Sequence, residues 1–406
     1  MRPSAPSRAL RPVLQLHRTL TPEGRLLFGL TLLAGATGLD VADNQIYLMW
    51  SVLAGLVMGS LALAPLSRLR GVSLTARVPR RVSVAEEVEI ALRLESRAAA
   101  PIQAVWMQPP SLPGAKWIGR APVVDALAPG GRAGAVLRVR FSARGEHRME
   151  PVRARALVPL GLALGPSVDS EPLRILVVPR IAPVRRLRLP MGQRYQPGGV
   201  ALASKTGESM ELHGVRPYRP GDRVRDLHAR SWARTGVPVI REFQQEYFSR
   251  VGVVLDTDGT AADAATLEAA ISLCAGVTAH LARGEALIDL LVIGDAVHPL
   301  TLGRSLGFLE QALDLLACVR PGPRLDAESL LGRLDPFLGR LSCLVLITLG
   351  WDRERAKVPP RARARGVGVR VLVVAAGGQR GPAAPADPEA ARLDVATITG
   401  DQGISM

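Results

Sequence analysis

The stretch that decides the fold class of this chain is Val251-Gly-Val-Val-Leu-Asp256, an unbroken apolar run that ends in a carboxylate. Residues 264–283 then show the apolar spacing of a helix, and residues 286–293 form a second apolar run. A strand, helix, strand order is typical of a parallel sheet that helices cover on both faces. The pattern therefore predicts an α/β domain over residues 251–406.

The rest of this domain continues the alternation. Apolar spacing predicts a helix over residues 306–319 and buried strands over residues 343–349 and 369–374. The chain after Val374 is rich in Ala, Gly and Pro as far as Pro388, which indicates a loop. A weak apolar run predicts a last strand over residues 395–398.

Asp256 lies at the carboxyl end of the first predicted strand, where ligands gather on sheets of this kind. The domain resembles a von Willebrand factor type A domain, whose metal-binding members carry Asp-x-Ser-x-Ser after that strand and another Asp after a later one. Here Asp256, Asp258 and Thr260 stand in the first motif, and Leu349 stands where the later Asp is expected. We expect a strand-end turn and no cofactor, with a Mg²⁺ site at these three residues as the alternative.

Upstream lies a segment whose apolar residues follow neither a helical nor a strand period, GESMELHGVRPYRPGDRVRDLHARSWARTGVPVIREFQQE at residues 207–246. Pro220, Gly221 and Asp222 predict a tight bend. The segment is rich in arginine, and residues 181–250 carry 13 basic and 6 acidic side chains. Arginine forks at such a bend can hold carboxylates, phosphates or carbonyl groups.

The order Gly-x-Arg-x-Tyr-x-Pro-Gly-Asp-x-x-Arg, followed by Ala-Arg and an apolar strand with Arg-Glu, resembles the signature of the bacterial domain of unknown function 58 family. The matching positions are Gly214, Arg216, Tyr218, Pro220, Gly221, Asp222, Arg225, Ala233, Arg234, Arg241 and Glu242. The family usually has Asp-Trp after the last Arg of the first block, whereas this chain has His228 and Ala229, with Trp232 three residues later.

The middle of the chain, residues 71–180, has short alternating stretches such as residues 88–94 and 135–141, separated by turns that contain Pro and Gly. This is an all-β pattern. It predicts an immunoglobulin-like sandwich, with a small barrel as the alternative.

Two uncharged apolar runs, residues 26–39 and 46–64, flank a short acidic turn. We interpret residues 26–66 as a transmembrane hairpin. Arginines precede and follow the pair, so both ends are expected in the cytoplasm of a bacterium, with residues 1–25 as a basic N-terminus and the bulk of the chain on that side of the inner membrane. A cleaved signal peptide is the alternative, but a second span follows too closely to suit it.

Composition narrows the function. The formal charge is +15, and only three of the 51 basic residues are lysines. Cys274, Cys318 and Cys343 each lie in an apolar run without metal-ligand spacing, which predicts core residues in a reducing compartment. A nucleophile elbow, a phosphate-binding loop and a paired-histidine metal motif are absent from the sequence, so we expect a protein that is not an enzyme.

The expected role is a membrane-anchored adaptor or assembly factor. The predicted partner-binding residues are Arg216, Tyr218, Gly221, Asp222, Arg225, Arg234 and Glu242. Resemblance to the family implies a MoxR-type AAA+ ATPase as the partner. The alternative is nucleic-acid binding by the basic segment, whose aromatic residues are available for stacking, although its acidic residues interrupt the positive field.

Overall fold

The computed structural model describes residues 19–37, 44–190, 211–222, 224–244, 250–258, 260, 263–284, 286–294, 296–302, 306–375 and 389–406. The chain divides into two compact units, residues 1–178 and 179–406. Most of the predicted basic N-terminus and almost all of the predicted loop before Pro388 lie outside the described residues.

The first unit begins with two helices, α1 (Pro22–Thr37) and α2 (Asn44–Leu63), which cover most of the two predicted apolar runs. Large apolar side chains on both helices are exposed, such as Leu32 at 60% and Val52 at 62%. The helices approach closely at Gly35, where an added Cβ would lie 2.6 Å from Nε1 of Trp50. A larger residue at this position would require the Trp50 side chain to shift.

Length and composition qualify two helices of the described chain to cross a membrane, Tyr47–Leu66 and Ala264–Leu281. The second of these is mostly buried inside the protein, as the core helix of a folded domain is. Helix α1 has 16 residues and is therefore about 24 Å long at ~1.5 Å per residue.

Both ends of the helical pair are tied to the β-structure of the same unit. The hydroxyl of Thr21 donates to the carbonyl of Gly161 at 2.7 Å, and its backbone N–H donates to the carbonyl of Leu162 at 3.1 Å. An added Cβ on Gly24 would lie 1.9 Å from the same Leu162 oxygen, and one on Gly165 would lie 2.1 Å from the carbonyl oxygen of Ser67. The backbone just before α1 and the backbone just after α2 therefore both lie directly against the backbone of the β-structure.

The remainder of the first unit is β-structure. Its strands are β1 (Val72–Arg77), β2 (Arg81–Ser83), β3 (Glu87–Ser96), β4 (Ile102–Gln108), β5 (Ala115–Ile118), β6 (Val123–Leu127), β7 (Arg132–Phe141), β8 (Gly145–Met149), β9 (Arg153–Leu157), β10 (Leu164–Asp169) and β11 (Leu173–Val178). They form sheets with the orders β1-β3-β7-β5, β10-β9-β4-β6 and β2-β11-β8. Strand β3 alternates exposed and buried residues along its length, as expected for a sheet with one face in the core.

Side chains from the facing sheets share one apolar core, which includes Ile90 and Leu94 of β3, Val139 of β7, and Val105 and Met107 of β4. This arrangement is a β-sandwich, as predicted. The two strands that the alternation located, over residues 88–94 and 135–141, lie inside β3 and β7.

The second unit holds the signature segment and the α/β domain. Its elements are β12 (Val184–Arg186), β13 (Glu211–Pro217), α3 (Ala229–Thr235), β14 (Val239–Gln244), β15 (Arg250–Asp256), α4 (Ala264–Leu281), β16 (Leu287–Ile293), β17 (Val297–Leu302), α5 (Leu306–Ala317), α6 (Ala327–Leu338), β18 (Cys343–Thr348), α7 (Val358–Ala364), β19 (Gly368–Ala375), β20 (Ala390–Asp394), α8 (Val395–Thr399) and β21 (Ile404–Ser405).

The main sheet of this unit has the order β17-β16-β15-β18-β19-β20. Its neighbouring strands are parallel except at the edge, where β17 is antiparallel to β16. Val253 and Leu255 of β15 belong to the same apolar cluster as α4 and α5, whereas Val254 packs on the opposite face with α6 and α7. Burial on both faces explains the unbroken apolar run that the sequence shows.

Two predictions for this unit were wrong. Residues 395–398 were expected to form a strand, but Val395–Thr399 is a single helical turn that follows the strand Ala390–Asp394. Cys318 was expected in the core and is exposed, because it lies one residue beyond the last turn of α5, whereas Cys274 and Cys343 are buried as predicted. Helix α6 and strand β17 were not predicted at all.

The closeness of α4 to its neighbours gives a stability prediction. An added Cβ on Gly276 of α4 would lie 2.3 Å from the carbonyl oxygen of Ala182, which is backbone and has little freedom to move. We expect Gly276→Ala to destabilise the protein by about 1–3 kcal/mol, as overpacked cores do. The measurement is the thermal unfolding midpoint of the detergent-solubilised protein.

Gly332 of α6 is the matched control, since an added Cβ there meets nothing within 4 Å. Gly332→Ala is expected to leave the midpoint unchanged or raise it, because alanine in a helix interior is favoured over glycine by roughly 0.5–1 kcal/mol. Equal midpoints for the two variants would contradict the described contact between α4 and Ala182.

Candidate functional site

The signature segment forms a small hairpin with a helix inserted before its second strand. Strands β13 and β14 are antiparallel, and Pro217 lies opposite Val239. The backbone N–H of Tyr218 donates to the carbonyl of Pro238 at 2.9 Å, and that of His228 donates to the carbonyl of Val239 at 2.8 Å. These bonds hold the connecting segment against the second strand.

The bend predicted at Pro220, Gly221 and Asp222 is present. The backbone N–H of Asp222 donates to the carbonyl of Arg219 at 3.0 Å, which closes a four-residue turn. Gly221 has a φ of +105°, so the turn needs glycine at this position. Proline followed by a glycine of positive φ is the sequence of a type II turn.

The bend is braced from inside by Arg216. Its Nη1 and Nη2 donate to the two carboxylate oxygens of Asp222 at 2.7 and 2.8 Å, and Oδ2 of Asp222 also accepts the backbone N–H of Arg219 at 2.8 Å. The Arg216 guanidinium and the Arg219 N–H lower the pKa of Asp222 from 3.8 to about 2. The ionised carboxylate therefore stabilises the bend above the ordinary pKa of the group and stops doing so as the pH falls through about 2.

His228, one of the departures from the family pattern, caps helix α3. Its Nδ1 accepts from the backbone N–H of Ser231 at 3.3 Å and lies 2.6 Å from the hydroxyl of that serine. Gly236, with a φ of +72°, ends the helix, and its N–H donates to the carbonyl of Trp232 at 2.9 Å. Trp232 therefore takes its place on a short helix that is capped at both ends.

The outer surface of this module is apolar and basic. Tyr218 is 36% exposed, Trp232 43% and Val237 55%. Four arginine side chains are also exposed, those of Arg219, Arg225, Arg230 and Arg234. Within the described residues Arg225 has a long contact with Asp226 at 3.8 Å, and no ion pair is recorded for Arg219, Arg230 or Arg234. We call Tyr218, Trp232, Val237 and these four arginines the docking surface.

The second candidate region is the carboxyl edge of the main sheet. The chain leaves β15 toward β16 on one side and reaches β18 on the other, so Asp256 and Asp258 lie where the strand order reverses. Both carboxylates are almost completely buried, with 2% and 1% of each residue exposed. Asp258 accepts bonds from the backbone N–H and the hydroxyl of Thr260 at 2.9 and 2.6 Å.

A guanidinium group fills the space between these carboxylates. Nε of Arg355 donates to Asp256 at 3.0 Å, Nη2 donates to Asp258 at 2.8 Å, and Nη1 donates to Asp352 at 3.0 Å. The Arg355 side chain is 4% exposed. Burial raises the pKa of Asp256, although the guanidinium opposes this, and the three carboxylates together raise the pKa of Arg355 in spite of its burial.

Residues 214–375 match the family model described as protein of unknown function DUF58. Residues 214–375 are therefore a DUF58 region. The matched range contains most of the signature hairpin and the main sheet as far as the end of β19. A search of curated proteins gave no significant match for this chain.

Two solved structures are similar to parts of this chain at low identity. The CARDB domain of the PF1109 protein from Pyrococcus furiosus, solved with di-metal ions, is 11% identical over 26% of this chain and 87% of that chain, with a TM-score of 0.20. The native alpha-2-macroglobulin of Escherichia coli is 17% identical over 31% of this chain and 9% of that chain, with a TM-score of 0.22. These TM-scores are too low to assign a function or a detailed topology.

The predicted partner-binding residues, all of which lie in the DUF58 region, separate into two groups. Arg216, Gly221 and Asp222 form the brace inside the bend, whereas Tyr218, Arg225 and Arg234 belong to the docking surface. The backbone of Glu242 lies in β14, and its side chain lies outside the described residues.

Of the candidate metal residues, Asp256 and Asp258 converge on Arg355, while Thr260 bonds to Asp258. Within the described residues no three His, Cys, Asp or Glu side chains are grouped to hold a metal ion. Arg355 was not predicted from the sequence. The pattern that could have indicated it is the charged run Asp352-Arg-Glu-Arg355, which closely follows a buried strand.

The brace predicts a change in protease sensitivity. Asp222→Asn removes the charge that Arg216 binds, so the bend should open more often and chymotrypsin should cut more rapidly after Tyr218, which directly precedes the bend. The measurement is the rate of limited chymotryptic cleavage at this peptide bond, followed by mass spectrometry.

Asp226→Asn is the control, because Asp226 lies in the same segment but has only a long contact with Arg225. Its cleavage rate at the bend is expected to equal that of the unmodified protein. If Asp222→Asn were cut no faster than the control, the Arg216 to Asp222 pair would not be what holds the bend.

Proposed function

We propose that this chain is a membrane-anchored adaptor or assembly factor that acts by binding another protein and not by catalysis. The helices α1 and α2 serve as the anchor, and the docking surface of the signature module binds the partner. Family resemblance implies that the partner is a MoxR-type AAA+ ATPase. The bulk of the chain then faces the cytoplasm from the inner membrane of a bacterium.

The observation that carries the proposal is the contrast between the inside and the outside of the signature module. Arg216 braces the bend from inside the module. The arginines of the docking surface, by contrast, are exposed beside Tyr218 and Trp232. Arginine, tyrosine and tryptophan are the residues enriched at the centres of protein interfaces, and a rigid module loses little entropy on binding.

Charge identifies the kind of surface that the partner offers. The guanidinium groups of Arg230 and Arg234 have no recorded carboxylate neighbour in the described part of the chain. An acidic face on the partner would satisfy them and would also speed the encounter. Nucleic acid satisfies the same charges, and the two occupants differ in the salt dependence of their binding.

The anchor is supported by exposed apolar side chains along both helices. Leu26, Leu30 and Leu33 of α1 and Leu48, Met58 and Val52 of α2 are between 47% and 67% exposed. Water solvates such a surface poorly, whereas the acyl chains of a bilayer solvate it well. Arginines before α1 and after α2 favour the cytoplasmic side for both ends.

The α/β unit is proposed to be a relative of the von Willebrand factor type A domain. The proposal is supported by the position of Asp256, Asp258 and Thr260 after the central strand of the sheet, at the point where the strand order reverses. In this unit the motif at the end of β15 then stabilises the fold.

A charge in the anchor tests its place in a membrane. Val52→Arg puts a guanidinium near the middle of α2, which costs about 2.5–3.5 kcal/mol at the centre of an inserted helix. We expect a larger fraction of the protein to be released from membranes by alkaline carbonate. The measurement is the extracted fraction by immunoblot.

Val136→Arg provides the control, since Val136 is also exposed, at 45%, but lies on the outer face of β7 in the sandwich. It should remain as resistant to extraction as the original protein. Similar extraction of both variants, or complete extraction of the unmodified protein, would contradict the anchor.

Charge reversal tests the docking surface. Arg225→Glu with Arg234→Glu should sharply reduce the amount of partner recovered in a detergent pull-down from native membranes, because an acidic partner face would then be repelled. The measurement is quantitative mass spectrometry of the recovered proteins, with the MoxR-type ATPase as the expected loss.

The matched control is Arg283→Glu with Arg361→Glu, a double reversal of exposed arginines elsewhere in the same unit. It should recover the partner at the original level. Equal recovery with both double variants would reject the docking surface, and recovery of nucleic acid that falls steeply with salt would favour the nucleic-acid alternative.

A further inference from the structure

The carboxyl edge of the main sheet needs a positive charge whatever the partner of the docking surface is. Asp256 and Asp258 have 3% and 1% of their side chains exposed. An ionised carboxylate removed from water is strongly disfavoured unless a cation or a set of hydrogen-bond donors compensates it. A positive charge must therefore lie beside these two carboxylates.

A divalent metal ion does not fit the edge as it stands. The space between the carboxylates holds the Arg355 guanidinium, whose three nitrogens each donate to a different carboxylate. Leu349 stands where a metal-binding type A domain supplies its distal carboxylate, and Leu349 is itself buried in the apolar core. The loop after β18 bends back toward Asp256, and the group that it brings to Asp256 is the Arg355 guanidinium.

One buried oxygen at the edge has no recorded partner. The hydroxyl of Thr348 is buried and lacks a hydrogen bond within the described structure. The register pairs Leu255 with Ile347, so Thr348 lies beside Asp256 on the neighbouring strand. Val254 and Leu346 share one apolar cluster, which places Asp256 and Thr348 on the same face of the sheet. This hydroxyl is a spare oxygen beside the carboxylates.

We propose that Arg355 is the resident cation of this edge, and that it takes the place which a divalent cation holds in a metal-binding type A domain. The chain itself then supplies the positive charge at this edge, and the edge needs no metal ion. Removal of the arginine side chain should leave oxygen ligands from Asp256, Asp258, Asp352 and Thr348 that a divalent cation can bind.

This arrangement also closes the edge to one mode of recognition. A metal ion with a free coordination position can capture a carboxylate from a partner. Arg355 has no comparable position, because its donors are committed to the chain's own aspartates and its side chain is 4% exposed. This edge should therefore contribute no chelator sensitivity to the binding of a partner.

The experiment compares full-length protein in detergent with and without divalent cations. The thermal midpoint of the unmodified protein should not change when millimolar Mg²⁺ or Ca²⁺ replaces sodium chloride of equal ionic strength. Arg355→Ala should unfold at a lower temperature without divalent cation and should recover several degrees, saturably, when one is added. Ca²⁺ is included because it accepts oxygen ligands at about 2.3–2.6 Å in flexible geometry.

Arg324→Ala is the matched control. Arg324 pairs with the same Asp352 at 2.9 Å, but its side chain is 60% exposed and does not touch the buried carboxylates. It should gain no response to divalent cations. The double variant Arg355→Ala with Asp258→Asn should lose the response, since it removes one of the ligands.

Two results would overturn the proposal. Saturable stabilisation of the unmodified protein by a divalent cation would mean that metal, and not Arg355, is the cation of this edge. Failure of both cations to stabilise Arg355→Ala beyond the effect of sodium chloride would mean that the carboxylates form no cation site. To account for poor folding, Arg355→Ala is also purified in parallel in buffers that contain Mg²⁺, Ca²⁺ or a chelator. A variant that stays unfolded in all three buffers would also contradict the proposal that a divalent cation can replace Arg355.

Discussion

The α/β unit depends on the neutralisation of two aspartates that its own fold buries. The central strand is covered on both faces, so the chain that leaves its carboxyl end begins inside the protein, where Asp256 and Asp258 are nearly inaccessible. Arg355 provides the compensating charge and ties the end of β15 to the loop that follows β18. The same contact fixes Asp352, which in turn binds the N–H at the start of the next helical segment. Removing one partner of such a buried ion pair leaves the other charge buried without compensation, which commonly lowers the free energy of unfolding by about 3–5 kcal/mol.

The sequence predicts the elements whose burial leaves a simple pattern. Strands β15, β16 and β18 are mainly apolar because helices cover both faces, and β3 and β7 alternate because one face is solvated. Residues 395–398 were misassigned because four residues with three β-branched side chains fit a strand as well as one turn of helix. Helix α6 was missed because Pro336 lies within it and its apolar stripe is short.

The candidate sites show the same division between local and distant interactions. The bend at Gly221 follows from local turn chemistry and was predicted from the sequence, whereas the pairing of Arg216 with Asp222 that braces it was not. Arg355 meets Asp256 and Asp258 across 99 and 97 residues, and no local pattern reports such a contact. The exposed state of Trp232 also depends on how α3 packs against β14. Local rules therefore recover the turn, and only the folded chain identifies the cation.

The attachment of the helical pair to the sandwich has a mechanical consequence. Thr21 directly precedes α1 and Ser67 closely follows α2, and both contact the segment that runs from Gly161 to Gly165 at the start of β10. A flexible tether would let the helices tilt while the sandwich stayed still. Two backbone contacts on one short segment instead transmit torque. In the proposed membrane anchor, a change in bilayer thickness that tilts the helices would therefore rotate the sandwich with them.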